Sequence, residues 1–342
     1  MLSRRVLGLG LTGLALSASS SALAGQPSTA PSSDPFSVVD PELRSKARSL
    51  QNVFAKPLTH EAVIAIRKST GAGQPLLSTP KVDQRKIAGA PGAPEVIIYV
   101  INAAEGESRP AILHIHGGGF MGGSARYVVR DCQELALAHD AVVVTVEYRL
   151  APETPFPGPL DDCYAALSWL HRNARDLGVD ASRIAVKGES AGGGLAAMLA
   201  LAARDRGDVP LCAQILLYPM LDDRTGSTRK ASATIPYFWT PQANVYGWTC
   251  LLGVPAGSPD VPAGAVPARV ANLAGLAPTF IGVGSIDLFV DEDVTYAERL
   301  RAAGVPTELL VLPGAFHAFD AVAPQASLSK SLTIAWNEAL AR

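Results

Sequence analysis

Ser190 stands at the centre of Gly188-Glu189-Ser190-Ala191-Gly192, a G-x-S-x-G pattern preceded by Arg183–Lys187 and followed by a run rich in alanine, leucine and glycine. A serine in a sharp turn between a strand and a helix presents its hydroxyl for attack on a carbonyl carbon. The amide of the next residue, here Ala191, then faces the oxygen that becomes anionic. A second glycine motif, His116-Gly117-Gly118-Gly119-Phe120, directly follows the apolar run Ala111–Ile115. Three successive glycines form neither strand nor helix well, so they read as a loop whose backbone a substrate can approach closely. Amides held there would stabilise a developing oxyanion, one such donor being worth ~3 kcal/mol. A phosphate-cradling loop fits less well, because neither G-x-x-x-x-G-K-[ST] nor a helix-opening G-x-G-x-x-G accompanies it. His116 itself reads as a side chain that fixes the loop by hydrogen bonding.

A serine hydroxyl needs a base, and chains with this elbow carry their three reactive residues in the order Ser, Asp or Glu, His. The histidines are His60, His114, His116, His139, His171 and His317, and only His317 follows Ser190. It lies in Pro313-Gly314-Ala315-Phe316-His317, just beyond the strand candidate Glu308–Leu312. The acid must orient the imidazole and stabilise its charged form. Asp287 fits, because it follows the apolar segment Thr279–Val283 and lies between Ser190 and His317 in the chain. Asp291 is the reserve. Asp291 and Asp293 both open the next helix candidate, where acids are ordinary.

The elements that must position these residues alternate along the chain. Glu95–Asn102, Ala111–Ile115, Ala141–Glu147, Arg183–Lys187, Cys212–Tyr218, Thr279–Val283 and Glu308–Leu312 read as strands. Ala141–Glu147 is β-branched nearly throughout, as in a strand buried on both faces. Helices are expected at Pro159–Leu177, Ala191–Asp205, Asp291–Ala303 and near Gln325–Ala341, so the fold class is α/β with a largely parallel sheet. Two weaker helical stretches, Pro41–Val53 and Thr59–Ser69, precede the first clear strand and read as part of a cap. Asp222–Pro267 breaks the alternation, with weak helices at best, and reads as an excursion over the carboxyl edge of the sheet. Ligands bind at that edge in open α/β sheets.

The 342 residues are 48% hydrophobic and 18% charged with a net charge of -2, which suits a sizeable core and offers no basic surface for nucleic acid. Met1–Ala24 reads as a signal peptide, with Arg4-Arg5, an apolar run to Leu16 and Ala22-Leu23-Ala24 as the cleavage site. The paired arginines are compatible with either a twin-arginine or an ordinary secretory signal, and the expected location is periplasmic or secreted. Gln26–Pro35 reads as a flexible leader. No cysteine near the cleavage site suggests a lipid anchor, and no later stretch reads as a membrane helix. Cys132, Cys163 and Cys212 fall in segments that read as buried helix or strand, and their spacing with Cys250 contains no C-x-x-C for zinc. The pairing of the four stays open.

Six motifs together carry a family likeness: HGGGF at His116–Phe120, EYRLAPE at Glu147–Glu153, FPGPLDD at Phe156–Asp162, GESAGG at Gly188–Gly193, IDLFVDE at Ile286–Glu292 and PGAFHAF at Pro313–Phe319. In this order the chain resembles the hormone-sensitive-lipase-like esterases of the α/β-hydrolase superfamily, especially bacterial members. The resemblance implies an eight-stranded, mostly parallel sheet with a helical cap built from the amino-terminal helices and the 222–267 insertion. It implies oxyanion donors at Gly118, Gly119 and Ala191, esters of short to medium acyl chains as substrates, and neither metal nor organic cofactor. Relatives often form homodimers through the sheet edge or last helix, which nothing local in this sequence decides. Glu189 stands where many relatives carry Asp, a change expected to matter little. An amidase or deacetylase would use the same parts. A binding protein on this scaffold is the remaining alternative, and it is the one that the presence of Ser190, Asp287 and His317 argues against.

Overall fold

Side chains along Val142–Glu147 alternate between two separate apolar cores. Val142, Val144 and Val146 pack with Leu160, Leu167, Leu195 and Leu199, whereas Val143 packs with Ile101, Ile112, Cys132 and Leu135. A strand whose two faces are both apolar belongs inside a sheet covered on both sides. The computed structural model describes residues 34–342 apart from 55, 70–72 and 233–237. The expected signal peptide and most of the expected leader lie outside the described residues.

Eight strands form one sheet: β1 (Val82–Ile87), β2 (Val96–Ile101), β3 (Arg109–Ile115), β4 (Val142–Glu147), β5 (Val179–Glu189), β6 (Ala213–Leu217), β7 (Thr279–Gly284) and β8 (Thr307–Leu312). Their order is β1-β2-β4-β3-β5-β6-β7-β8. The β1–β2 and β2–β4 pairs are antiparallel and the others parallel. The helices are α1 (Arg44–Leu50), α2 (His60–Ser69), α3 (Ala125–His139), α4 (Gly158–Arg172), α5 (Ala174–Leu177), α6 (Ala191–Arg206), α7 (Pro241–Leu252), α8 (Val290–Ala302), α9 (Phe319–Val322) and α10 (Ser327–Ala341). Helices α4, α6 and α8 supply one apolar face, and α3 and α10 contribute to the other. Residues Phe36–Arg342 form one compact unit.

β1, α3 and α7 differ most from the sequence reading. β1 is an antiparallel edge strand whose VDQRKI sequence is charged and half exposed, so it lacks the apolar run by which the inner strands announce themselves. α3 has no assigned bounds in the sequence reading, which goes no further than a buried helix or strand around Cys132; it buries Val129, Cys132, Gln133, Leu135 and Ala136. α7 is a full three-turn helix inside the 222–267 insertion. It carries no charged residue, so it shows no polar face to mark its period. Its ends are nonetheless written in the chain: the Thr240 hydroxyl accepts from the Ala243 amide, Pro241 opens the helix and Gly253 closes it in the left-handed region. Cys212 corrects the cysteine reading, because it lies one residue before β6 and is exposed. All four cysteines are unpaired.

An ion pair with a fully buried carboxylate joins the start of the insertion to Arg269, two residues past its end. The Asp223 carboxylate, fully buried, accepts from Arg269 Nε and Nη2 at 2.8 Å each and from the Gly257 amide at 2.8 Å. Among the described residues no helix is long and apolar enough to cross a membrane.

Candidate active site

The turn between β5 and α6 puts Ser190 in a backbone conformation that L residues rarely adopt, φ 55° and ψ -122°. Such strain costs of order 1–3 kcal/mol and persists only where neighbours hold it. Three bonds do so. The Ser190 amide donates to Leu217 at 2.9 Å, and its carbonyl accepts from Gly194 and Met220 at 3.0 Å each. Glycine at 192 is a steric requirement, because a Cβ there would lie 2.1 Å from the Ile115 carbonyl oxygen. Ser190 is 9% exposed, at the carboxyl end of β5.

Two further strand ends supply its partners. Ser190 Oγ lies 2.9 Å from His317 Nε2, and His317 Nδ1 lies 2.9 and 3.2 Å from the two oxygens of Asp287. Asp287 follows β7 and His317 follows β8, so adjacent strands deliver both side chains beside the elbow. Asp287 is fully buried, and its Oδ1 also accepts from the Phe289 amide at 3.0 Å. The imidazole of His317, 5% exposed, is held edge-to-face by Tyr218 and Phe289, each with ring centres 5.0 Å away. Tyr218 is fixed in turn by its hydroxyl, which donates to Asp320 at 2.7 Å. Asp291, the reserve acid, bonds instead to the amide and hydroxyl of Ser232, both at 2.7 Å.

The His116–Phe120 loop lies against the elbow. A Cβ on Gly117 would sit 2.9 Å from the Glu189 carbonyl oxygen and 3.4 Å from Ser190 Cβ. Gly118 and Gly119 have φ of 129° and 62°. Among the described residues the amides of Gly118, Gly119 and Ala191 donate to no protein oxygen. Against Gly119 stands the indole of Trp239, with Cη2 only 2.4 Å from the position a Cβ would take. Trp239 is backed edge-to-face by Phe54, which also meets Phe238. Helix α7 reaches the same loop through Gly247, beside the Gly119 carbonyl, and through Trp248, stacked edge-on to Phe120. His116 stacks on Tyr148, and its Nδ1 donates to the Gly117 carbonyl at 2.8 Å. Burial lowers its pKa to about 4, so the ring is neutral at physiological pH.

Beneath the elbow lies a buried charge cluster that the sequence reading did not anticipate. The Glu189 carboxylate pairs with Lys187 and accepts from His114 Nε2 at 3.0 Å, while His114 Nδ1 lies 3.2 Å from the Thr145 hydroxyl. Burial alone would depress His114, but the Cys132 thiol and the Glu189 carboxylate raise it to about 10. Asp293 lies in the first turn of α8, where the sequence places it, yet it is fully buried, and among the described residues neither carboxyl oxygen has a partner. Burial first, then the charges of Glu292 and Asp287, push it well above the ordinary carboxylate range. Among the described residues no group of three or more His, Cys, Asp or Glu side chains could hold a metal ion.

Residues 112–321 match the family described as alpha/beta hydrolase fold. Esterase LipI of Mycobacterium tuberculosis is 40% identical over 205 residues, which is 58% of this chain and 62% of that protein. The match thus spans less than two thirds of LipI. Carboxylesterase NlhH of the same organism is 38% identical over 225 residues, 62% of this chain and 67% of its own length. Among solved structures, one described as a bacterial heroin esterase superposes with a TM-score of 0.74 at 38% identity, covering 90% of this chain and 98% of that one.

Proposed function

The chain belongs to the α/β-hydrolase fold family, in its hormone-sensitive-lipase-like branch, and from that premise we propose that it is a serine carboxylesterase acting on small acyl esters. The observation that carries this reading is the unbroken Ser190 Oγ–His317 Nε2–Asp287 chain beside a loop with unused amides. With Nδ1 of His317 protonated and facing Asp287, Nε2 is bare and accepts the serine proton as Oγ attacks the ester carbon. The carbonyl oxygen becomes anionic within reach of the Gly118, Gly119 and Ala191 amides. As the tetrahedral species collapses, the C–O bond to the alcohol breaks and His317 Nε2–H protonates the departing oxygen. Water then enters, gives its proton to Nε2 and attacks the acyl carbon; as this second tetrahedral species collapses, the acyl C–Oγ bond breaks, Nε2–H returns its proton to Ser190 Oγ and the carboxylic acid leaves. Asp287 stays ionised, compensating the imidazolium in both halves.

The aromatic wall supports a short-acyl preference. Trp239, braced by Phe54, occupies the space directly beside Gly119, which leaves room for small groups there. Export to the periplasm or medium is part of the proposal and rests on the Met1–Ala24 pattern alone.

The test is hydrolysis of p-nitrophenyl acetate, butyrate, octanoate and palmitate, with matching anilides, by the parent and by Ser190→Ala. The expected outcome is turnover that peaks on the short esters, is far slower on anilides and is absent from the variant. Anilide rates equal to ester rates would replace the esterase reading by an amidase one. A maximum at palmitate would contradict the short-chain assignment.

A further inference from the structure

The Gly118–Gly122 turn closes mainly on itself, with the Gly118 carbonyl accepting from Met121 at 3.1 Å and Gly122 at 2.8 Å. Such a turn needs outside anchors to hold two amides at fixed positions. One anchor is the Ala151 amide, which donates to the Phe120 carbonyl at 3.0 Å. The other comes from α2, 54 positions away in the chain: Arg67 Nε donates to the Met121 carbonyl at 2.5 Å. The same guanidinium donates through Nη2 to the Ala151 carbonyl at 2.7 Å. Its remaining edge meets Glu153, with Nη1 to Oε1 at 2.8 Å and Nη2 to Oε2 at 3.0 Å. One planar cation therefore clamps the turn at Met121 together with the Ala151 segment bonded to Phe120, while Glu153 fixes the orientation of the clamp.

We propose that Arg67 is a positioning residue for the oxyanion loop, acting through the Met121 and Ala151 carbonyls to hold the Gly118 and Gly119 amides where the anion forms. The assignment rests on the serine-esterase reading of the site. Arg67 is well suited to this task, because its rigid fork satisfies two carbonyls and a carboxylate at once, which the single ammonium of lysine cannot do. Its side chain is 23% exposed and that of Glu153 46%, and an ion pair so exposed adds little to stability by itself. The consequence of the clamp is thus geometric. It makes the turnover rate depend on a helix that lies outside the sheet and contributes no group to the reaction.

The test uses the full chain with Arg67→Lys, Arg67→Gln and Glu153→Gln, assayed on p-nitrophenyl butyrate and with a butyl trifluoromethyl ketone, whose adduct places an oxyanion in the loop. Arg67→Gln is expected to lower kcat roughly tenfold or more with KM little changed, since a small misplacement of donors acts on the transition state. The ketone inhibition constant rises by the same factor, and Arg67→Lys and Glu153→Gln show smaller losses of the same kind. A merely structural role would lower the unfolding temperature and the active fraction without moving the inhibition constant of the molecules that remain folded. If Arg67→Gln does not fold, the other two variants decide by the same comparison. Unchanged kcat and inhibition constant, or a fall in kcat without a matching rise in the constant, would overturn the assignment. Absence of Ser190-dependent turnover in the parent would instead be a failure of the esterase reading.

Discussion

Replacing Asp287 by asparagine exchanges one carboxylate oxygen for an amide nitrogen and leaves the shape of the side chain intact. The structure decides which oxygen is lost. Oδ1 accepts from the Phe289 amide at 3.0 Å, so an oxygen must stay there, and the new NH2 group takes the place of Oδ2, 2.9 Å from His317 Nδ1. Two N–H donors cannot face each other across that distance. His317 is then driven to the tautomer with a bare Nδ1 and a protonated Nε2, which points its hydrogen at Ser190 Oγ and cannot accept the serine proton. In a serine protease the corresponding change lowers kcat about 10⁴-fold, which at 1.36 kcal/mol per decade is about 5 kcal/mol of transition-state stabilisation. KM and the unfolding temperature should move little, because the substitution is nearly isosteric and removes a charge from a fully buried site. Steady-state kinetics on p-nitrophenyl butyrate near neutral pH, with circular dichroism to verify folding, measures it. A loss of less than about tenfold in the folded variant would refute the claim that Asp287 sets the His317 tautomer.

Gly119→Ala places a Cβ 2.4 Å from the Trp239 ring at a residue with φ 62°, so kcat on butyrate esters should fall by roughly ten- to a hundredfold as the loop shifts. Adding Trp239→Ala should restore part of that loss, and a double variant no better than the single one would show that Trp239 is not the obstacle. Arg269→Ala strips the fully buried Asp223 of its charge partner and should cost roughly 3–5 kcal/mol in urea unfolding. A midpoint unchanged from the parent would refute the idea that this pair ties down the insertion. Asp293→Asn tests the buried unpartnered carboxyl by pH. A carboxyl whose pKa is raised on folding contributes most below its unfolded value and loses that contribution as pH rises towards the folded value. The variant should therefore gain on the parent as pH rises from about 4.5 to about 8 in thermal unfolding, and a gap that does not change with pH would contradict this.

Motifs that depend on neighbours in the chain were legible before any coordinates. Ser190 is defined by glycines two positions away on either side, and the order of the chain leaves His317 as the one histidine after it. Asp287 and His317 each follow an apolar run that ends as a strand, which is why both arrive at the same edge of the sheet. Strands β2 to β8 could be read from their apolar runs, whereas β1 could not, because its VDQRKI sequence is mostly charged or polar and half exposed. Residues whose roles depend on distant partners stayed hidden. Arg67 looks like a surface residue on a helix until Met121, Ala151 and Glu153 are placed around it. Glu189 looks like a conservative replacement until His114 and Lys187 close over it, and Trp239 sits in a segment with no periodicity to mark it. Asp293 and Asp291 are two residues apart and look alike in the sequence, yet one is fully buried and the other bonds Ser232 near the surface.

Direct detection of the covalent intermediate tests the central claim. Rapid acid quenching of the parent during turnover of p-nitrophenyl butyrate, followed by intact-mass and peptide mass spectrometry, should find one butyryl group, located on the peptide containing Ser190. The same experiment on Ser190→Ala should find none, with no turnover. Butyryl on another residue, or ester hydrolysis that survives in Ser190→Ala, would contradict the account.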